Sequence, residues 1–281
     1  MGQFLMTGRT MKDETIDKIA LAETAEVEAW RSVWTAAPEA ARDALGLSCD
    51  IAPDGALALR ATRFGWWFFN RVLGLGLDGV PDRGWLAAQF DRYEAAGQPF
   101  GVSLCEARAP DLAPWLATRG LRPTTTLAKM IRGSGVLPPQ NGDLRFCEVG
   151  IEDAGVFASV TQRGFGMPRT LDGLFAALTG ARGWRCYLAF AKGEPVATGA
   201  VHMQGGTAWI GFGSVVPEHR HRGVHGQMLL HRMHRAADLG CRWLVTETNL
   251  PDPGEVGASF RNMRRLGFET VCERRNFLSA T

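Results

Sequence analysis

One local pattern occurs twice in this chain, and that repetition constrains the fold more than any single residue does. Trp115 to Ile131 reads WLATRGLRPTTTLAKMI, and Asn262 to Leu278 reads NMRRLGFETVCERRNFL. Each is a helix end, a basic and apolar stop closed by glycine, one apolar residue and an extended run. Upstream pieces match in order: Phe100 to Leu104 parallels Arg242 to Val245, Trp85 to Ala96 parallels the helix opening at Val224, and Phe68 to Leu75 parallels the strand at Trp209. Between the halves lies RGSGVLPPQNGD, in which Pro138-Pro139 blocks both helix and ladder pairing. The reading is two copies of one fold, residues 1–131 and 144–281, joined by a linker at 132–143. A chance likeness of generic α/β pieces is the alternative.

The second copy reads more clearly. Leu144 to Val149 has a strand pattern, and Glu152 to Arg163 and Thr170 to Leu178 have helical ones, separated by GFGMPR. Strands follow at Trp184 to Phe190, Val196 to Met203 and Thr207 to Val216, joined by glycine-containing turns. Val224 to Leu239 has helical apolar spacing and stops at Gly240. A strand at Arg242 to Thr248, a helix at Ser259 to Leu266 and a strand from Phe268 complete the order. The fold class is α/β, layered in the α+β manner, each copy a mixed, mostly antiparallel sheet flanked by helices.

Composition removes several functions. The net charge of +2 over 281 residues is too small for a tail-driven nucleic-acid binder. The most apolar stretch, Phe64 to Leu77, is interrupted by Asn70 and Arg71, so no membrane span is expected. MGQFLMTGRTMKDE lacks the apolar core of a signal peptide and has Met6 where a myristoylation signal wants Ser or Thr. The six cysteines are dispersed with no Cys-x-x-Cys, which reads as reduced, mostly buried thiols in a cytoplasmic protein. Monomer and homodimer both remain open, since two tandem copies could replace a dimer.

The chemistry-bearing stretch is Val215-Val216-Pro217-Glu218-His219-Arg220-His221-Arg222-Gly223-Val224-His225-Gly226. An apolar strand runs into a basic loop that opens an amphipathic helix. Unpaired N–H groups at a helix start, glycine for close approach and two arginines suit a polyphosphate. No Gly-Lys-Ser/Thr and no Gly-x-Gly-x-x-Gly is present, so nucleotide hydrolysis and dinucleotide binding are not expected here.

This stretch resembles the signature of the GCN5-related N-acetyltransferase (GNAT) superfamily, Arg/Gln-x-x-Gly-x-Gly/Ala after a strand ending Val-x-Pro. Here it is Arg220-His221-Arg222-Gly223-Val224-His225, with His225 departing at the sixth position and Gly226 one residue later. Leu266-Gly267-Phe268 matches the Leu-Gly-Phe that commonly ends the family's last helix. The resemblance implies a tandem GNAT-like arrangement with acetyl-CoA as co-substrate. Its pyrophosphate would lie on N–H groups from Arg220 to Gly226, and its pantetheine arm beside Val215 and Val216. An N–H near Val215 would hold the oxyanion while a primary amine attacks directly. In the first copy the matching stretch puts Asp78 and Asp82 where phosphates should go, which makes that copy degenerate.

Candidate catalysts are weighed against plainer roles. Glu247, at a strand end, is the first candidate for the base that deprotonates the amine; a solvated or salt-bridged glutamate is the plainer reading. His202 is a weaker candidate. The family's usual acid is a Tyr whose position is Met263 here, so Ser259 and Asn262, one turn apart, become candidates to hydrogen-bond the sulfur or the pantetheine arm. Ser259 could equally be a helix cap. The histidines lack a partner set with metal-ligand spacing, so no metal is expected. His231, His234, Arg232 and Arg235 read as a solvated helix face. Trp66-Trp67-Phe68-Phe69 and Arg71 read as core or as the wall of a cleft, and Phe165 and Met167 as an apolar border of the substrate site. The alternative from another class is a non-catalytic acyl-CoA-binding sensor or interaction module.

Overall fold

A computed structural model describes residues 11–251, 255 and 257–279. The leader and lipidation readings concern residues 1–10, which lie outside that range. The first half runs α1 (Met11–Ala36), α2 (Glu39–Leu45), β1 (Leu47–Ile51), β2 (Leu57–Ala61), β3 (Arg71–Leu73), α3 (Arg83–Ala95), β4 (Gly101–Cys105), α4 (Leu112–Thr118) and β5 (Arg122–Gly133). The second runs β6 (Arg145–Glu148), α5 (Ala154–Phe165), α6 (Asp172–Ala176), β7 (Trp184–Ala191), β8 (Glu194–Gln204), β9 (Thr207–Val215), α7 (Val224–Asp238), β10 (Trp243–Asn249), α8 (Ala258–Arg265) and β11 (Glu269–Leu278). After β6 the two halves carry the same order of helices and strands.

The halves share one 11-stranded sheet, ordered β1-β2-β3-β4-β11-β5-β10-β9-β8-β7-β6. Their last strands are exchanged: β5 pairs with β10, and β11 pairs with β4. The registers make the repeat exact to the residue. Val245 faces Ile131 and, on its other side, Trp209; Gly101 faces Leu278 and, on its other side, Arg71. Ile131 and Leu278 are the last residues of the two repeated sequence stretches, so strand register and sequence agree on one alignment. That alignment pairs Gly101 with Val245, two residues from the offset the sequence pieces suggested. In the β5–β11 ladder Leu127 faces Arg274, and pairs on either side interchange under the same shift, Ile131 with Glu269 and Arg122 with Leu278. A local two-fold axis therefore passes through the Leu127–Arg274 pair.

Several sequence expectations are corrected. Arg132 and Gly133, read as linker, extend β5 opposite Leu244 and Trp243. Phe68 to Leu75, read as one strand, is a 3-10 turn at Trp67–Phe69 followed by the short β3. Cys105 and Cys272, read as reduced, form a disulfide that ties β4 to the exchanged β11. The longest helix, α1, has no counterpart in the sequence reading. Its buried face, Ile19, Ala22, Glu26, Ala29, Trp30 and Val33, has helical spacing but includes a charge. Among the described residues no helix is long and apolar enough to cross a membrane.

Candidate functional site

The site begins where β9 and β10 part. These parallel neighbours pair only from Trp243–Thr207 to Val245–Trp209. Beyond that point β9 is reshaped by a bulge: its register with β8 shifts between Thr198 and Ala200, and Phe212 has φ +50°. Arg232, on α7, fills the space under the bulge and donates to Gly211 O at 2.7 Å and Met228 O at 3.2 Å. A Cβ on Gly199 or Gly213 would meet its guanidinium at 2.6 and 2.7 Å, so a side chain at either position would displace Arg232. Burial pushes the Arg232 pKa down to about 9, which leaves it charged at neutral pH. The expectation of a solvated face is thus overturned for Arg232, which is 2% exposed. His231 is half-buried and stacks on Phe146, while His234, also half-buried, meets Pro138 O through its Nε2 at 2.8 Å. His231, whose Nδ1 lies 3.2 Å from Gln140 Nε2, and His234 both tie the inter-repeat segment to α7.

Two cavities meet at this parting. The outer one, about 290 Å³, lies at the start of α7 and is lined by Val215, Arg220, His221, Gly223, Val224 and Asn262 among others. The first residue before α7 is Gly223, with φ +75°, and no side chain caps the helix. Its first N–H groups are free of a side-chain acceptor, and the dipole favours an anion there. Arg222 is exposed beside it. Arg220 does something else: its Nη2 donates to Gly164 O at 2.8 Å and its Nε to Val215 O at 3.3 Å, bolting the loop to the end of α5. Gly226 and Asn262 face each other across the two helices, with about 3.9 Å between a Cβ on Gly226 and Asn262 Cγ.

The inner cavity is about 310 Å³. Phe165, Gly213, His225 and Ser259 line both spaces and form the passage between them. Burial pushes the His225 pKa down to about 4, with Arg232 adding to the shift, so its imidazole is neutral at pH 7. Glu247 and Met263 line the inner space. Trp66, Phe68 and Phe69 from the first half line it as well, together with Phe165 and Met167. Arg71 is fully buried instead, with its guanidinium 3.9 Å from the Phe68 ring centroid. His202 lies elsewhere, buried 5.0 Å from the Trp184 ring, and burial pushes its pKa down to about 4. Tyr93 and Tyr187 line neither cavity.

Glu247 sits at the edge of a buried ionic cluster. Its Oε2 accepts from Arg274 Nη2 at 2.5 Å and from Lys129 Nζ at 3.3 Å. Glu26, from α1, is bound by Lys129, Arg274 and Arg71. Burial alone would raise the Glu26 pKa, but these three cations outweigh it and hold the carboxyl well below the usual range. Glu23 completes the set, 3.6 Å from Arg274 and 3.9 Å from Lys129. Three carboxylates thus face three cations around the two-fold axis. The sequence reading missed Glu26, Lys129, Arg274 and Trp30, because only the exchanged strands and α1 bring them together. The one sequence signal was the helical spacing of Glu23, Glu26 and Trp30 among alanines.

A family model described as an acetyltransferase (GNAT) domain matches residues 156–245. No curated protein matches significantly. Among solved structures the chain is similar to a GCN5-related N-acetyltransferase from Kribbella flavida, with TM-score 0.61, 17% identity, and 86% of this chain and 96% of that one covered. A GCN5-related N-acetyltransferase from Sphaerobacter thermophilus gives TM-score 0.59 and 16% identity over 85% of this chain and 83% of that one. A tandem GNAT protein from the clavulanic acid biosynthesis pathway gives TM-score 0.57 and 16% identity over 95% of both chains. At these identities the likeness is one of fold, and with the last it spans both halves.

Proposed function

We propose that the chain belongs to the GNAT superfamily and that its second half is an acetyl-CoA-dependent N-acetyltransferase acting on a primary amine in a ternary complex. In this reading residues 144–281 form the acetyl-CoA-binding copy, residues 1–131 the degenerate copy, and 132–143 the connection. The observation that carries it is the meeting of two cavities at the β9–β10 parting, one of them under an uncapped helix start.

The residues take these roles. N–H groups from His221 to Gly226 receive the pyrophosphate, with Val224 and His225 in the first turn and the exposed Arg222 as a counter-charge. Arg220 shapes the loop and has its remaining N–H groups for the phosphates. The pantetheine arm follows the β9 edge at Val215 and Val216, where no β10 partner competes, and Asn262 faces it. Acetyl-CoA is a co-substrate that supplies the thioester. The amine enters the inner cavity, and Glu247 accepts its proton. An N–H near Val215 faces the developing oxyanion. Ser259, in the passage, donates a hydrogen bond to the departing sulfur in place of the usual Tyr.

A second reading has its own observation. Glu247 is held by Arg274 and Lys129, and Met263 stands at the acid position, which favours a non-catalytic acyl-CoA-binding module. Calorimetric titration of acetyl-CoA into wild type and an Arg220→Glu/Arg222→Glu variant tests the common part: binding lost in the variant supports the phosphate loop, and no binding to wild type rejects both readings. Thiol release with an amine panel then separates enzyme from sensor.

A further inference from the structure

The inner cavity has a chemical character of its own, which leads to a substrate class. Resting on the acetyltransferase reading, we propose that it takes a primary amine with a flat, apolar body and no second positive charge.

Its walls are aromatic. Trp30, Trp66, Phe68 and Phe69 come from the first half, and Trp209 and Phe212 from β9. Trp30 sits at the centre, with ring centroids 5.3 Å from Phe68, 5.5 Å from Phe212 and 6.3 Å from Trp209. Such a lining favours a planar body and stabilises one ammonium over a ring face. A volume of about 310 Å³ is at the small end for ligand pockets.

Charge narrows the class further. Glu247 is the one carboxylate among the described lining residues, and Lys129 and Arg274 already share it. Arg232 adds a positive charge to the same wall. A polyamine or an aminosugar with several ammonium groups would meet repulsion and no counter-charge.

The test compares 2-phenylethylamine, spermidine and a lysine peptide, by thiol release with acetyl-CoA and by tryptophan fluorescence without it. The expected order places phenylethylamine about a hundredfold above spermidine or the peptide in kcat/KM. Phe68→Ala, which removes one aromatic wall, should narrow that preference about tenfold. Equal use of the amines, preference for spermidine or the peptide, or a preference unmoved by Phe68→Ala overturns the proposal. If acetyl-CoA does not bind, the acetyltransferase reading fails, and the fluorescence titrations still decide the class of ligand.

Discussion

The two strand-to-helix crossings of this chain, β3 to α3 and β9 to α7, occupy matching places in the repeat and have opposite chemistry. At α3 the residue before the helix is Asp82, whose carboxylate accepts from Gly84 N at 2.8 Å and Trp85 N at 3.1 Å. That crossing holds its own anion. At α7 the residue is Gly223, with no side chain to offer. The difference extends along the sheet. Register equates Glu247 and its partner Lys129 with Ser103 and its partner Asn276, and equates Trp209 with Arg71. So the cavity-facing carboxylate of one copy is a hydroxyl in the other, hydrogen-bonded to Asn276 at 2.8 Å. In the first half the helix start is occupied by its own carboxylate, while Trp30, Trp66, Phe68 and Phe69 line the cavity at the β9–β10 parting. That cavity therefore has walls from both halves.

The helices sharpen the same comparison. α1 holds the place of α5 in the element order but has 26 residues against 12. From α1, Glu26 reaches Arg274 and Trp30 reaches Phe212, both in the second half. Removing the Glu26 charge leaves three buried cations without their central partner, and breaking such a buried set costs about 3–5 kcal/mol. Glu26→Gln is expected to show this in denaturant unfolding, with fluorescence and far-UV signals shifting together because both halves share the cluster. Separate transitions for the two halves would show that the seam does not couple them.

Next in size is the Glu247–Ser103 contrast. Glu247→Gln should leave acetyl-CoA affinity within about threefold and lower kcat by about 10² to 10⁴, the usual range for a lost general base. Unchanged turnover would make Glu247 a cluster member only. The two-fold-related Ser103→Ala should leave turnover near wild type, since that position faces Asn276 and Arg71 rather than the cavity.

How far the sequence could be read follows from what each feature depends on. The repeat, the strands and helices of the second half and the crossing at Gly223 rest on local patterns of spacing and turn residues, and these are legible. The role of Asp82 was legible as charge, and its capping geometry follows from its place before a helix. The exchange of β5 and β11 was not legible, because each strand has the same local pattern whichever copy it pairs with. Nor was α1, whose buried Glu26 disturbs the apolar stripe and is held by Arg71, Lys129 and Arg274 from three distant strands. Arg232 looked like a surface residue for the same reason: only the bulge at Phe212 gives its guanidinium carbonyls to bind.

Transplanting the difference between the crossings tests it directly. Gly223→Asp places a carboxylate at the start of α7 and should weaken acetyl-CoA binding by about a hundredfold in calorimetry, from direct competition for the N–H groups and like charge against phosphate. Part of that loss could come from backbone strain at φ +75°, so Gly223→Asn, isosteric and neutral, is the control. Equal losses in the two would mean that conformation, not charge, distinguishes the crossings.

Acid should separate the halves by a smaller margin. All six histidines lie in the second half. Burial pushes His202, His225 and His231 to about 4, below the ordinary 6.5. Below pH 6.5 the unfolded chain takes up protons that the folded chain refuses, so stability is complete above that pH and falls as the pH drops toward 4. Tm is expected to fall by several degrees over that window, with amides of the second half losing hydrogen-exchange protection first. A variant carrying His202→Gln and His231→Gln should show a shallower slope. Earlier loss of protection in the first half would place the acid-sensitive element elsewhere.

The smallest effect is expected at the closed crossing itself. Asp82→Ala removes a capping carboxylate and should cost about 1 kcal/mol, or a Tm lower by about 2 °C. It should not create a second acetyl-CoA site. The matching loop, Leu77-Asp78-Gly79-Val80-Pro81, lacks the arginines that flank Gly223 and retains Asp78. A calorimetric stoichiometry of one in both wild type and Asp82→Ala fits a copy whose anion site was lost in several steps. A stoichiometry of two in the variant would mean that one carboxylate is all that separates the copies, and that the first half keeps a latent binding site beneath its own cap.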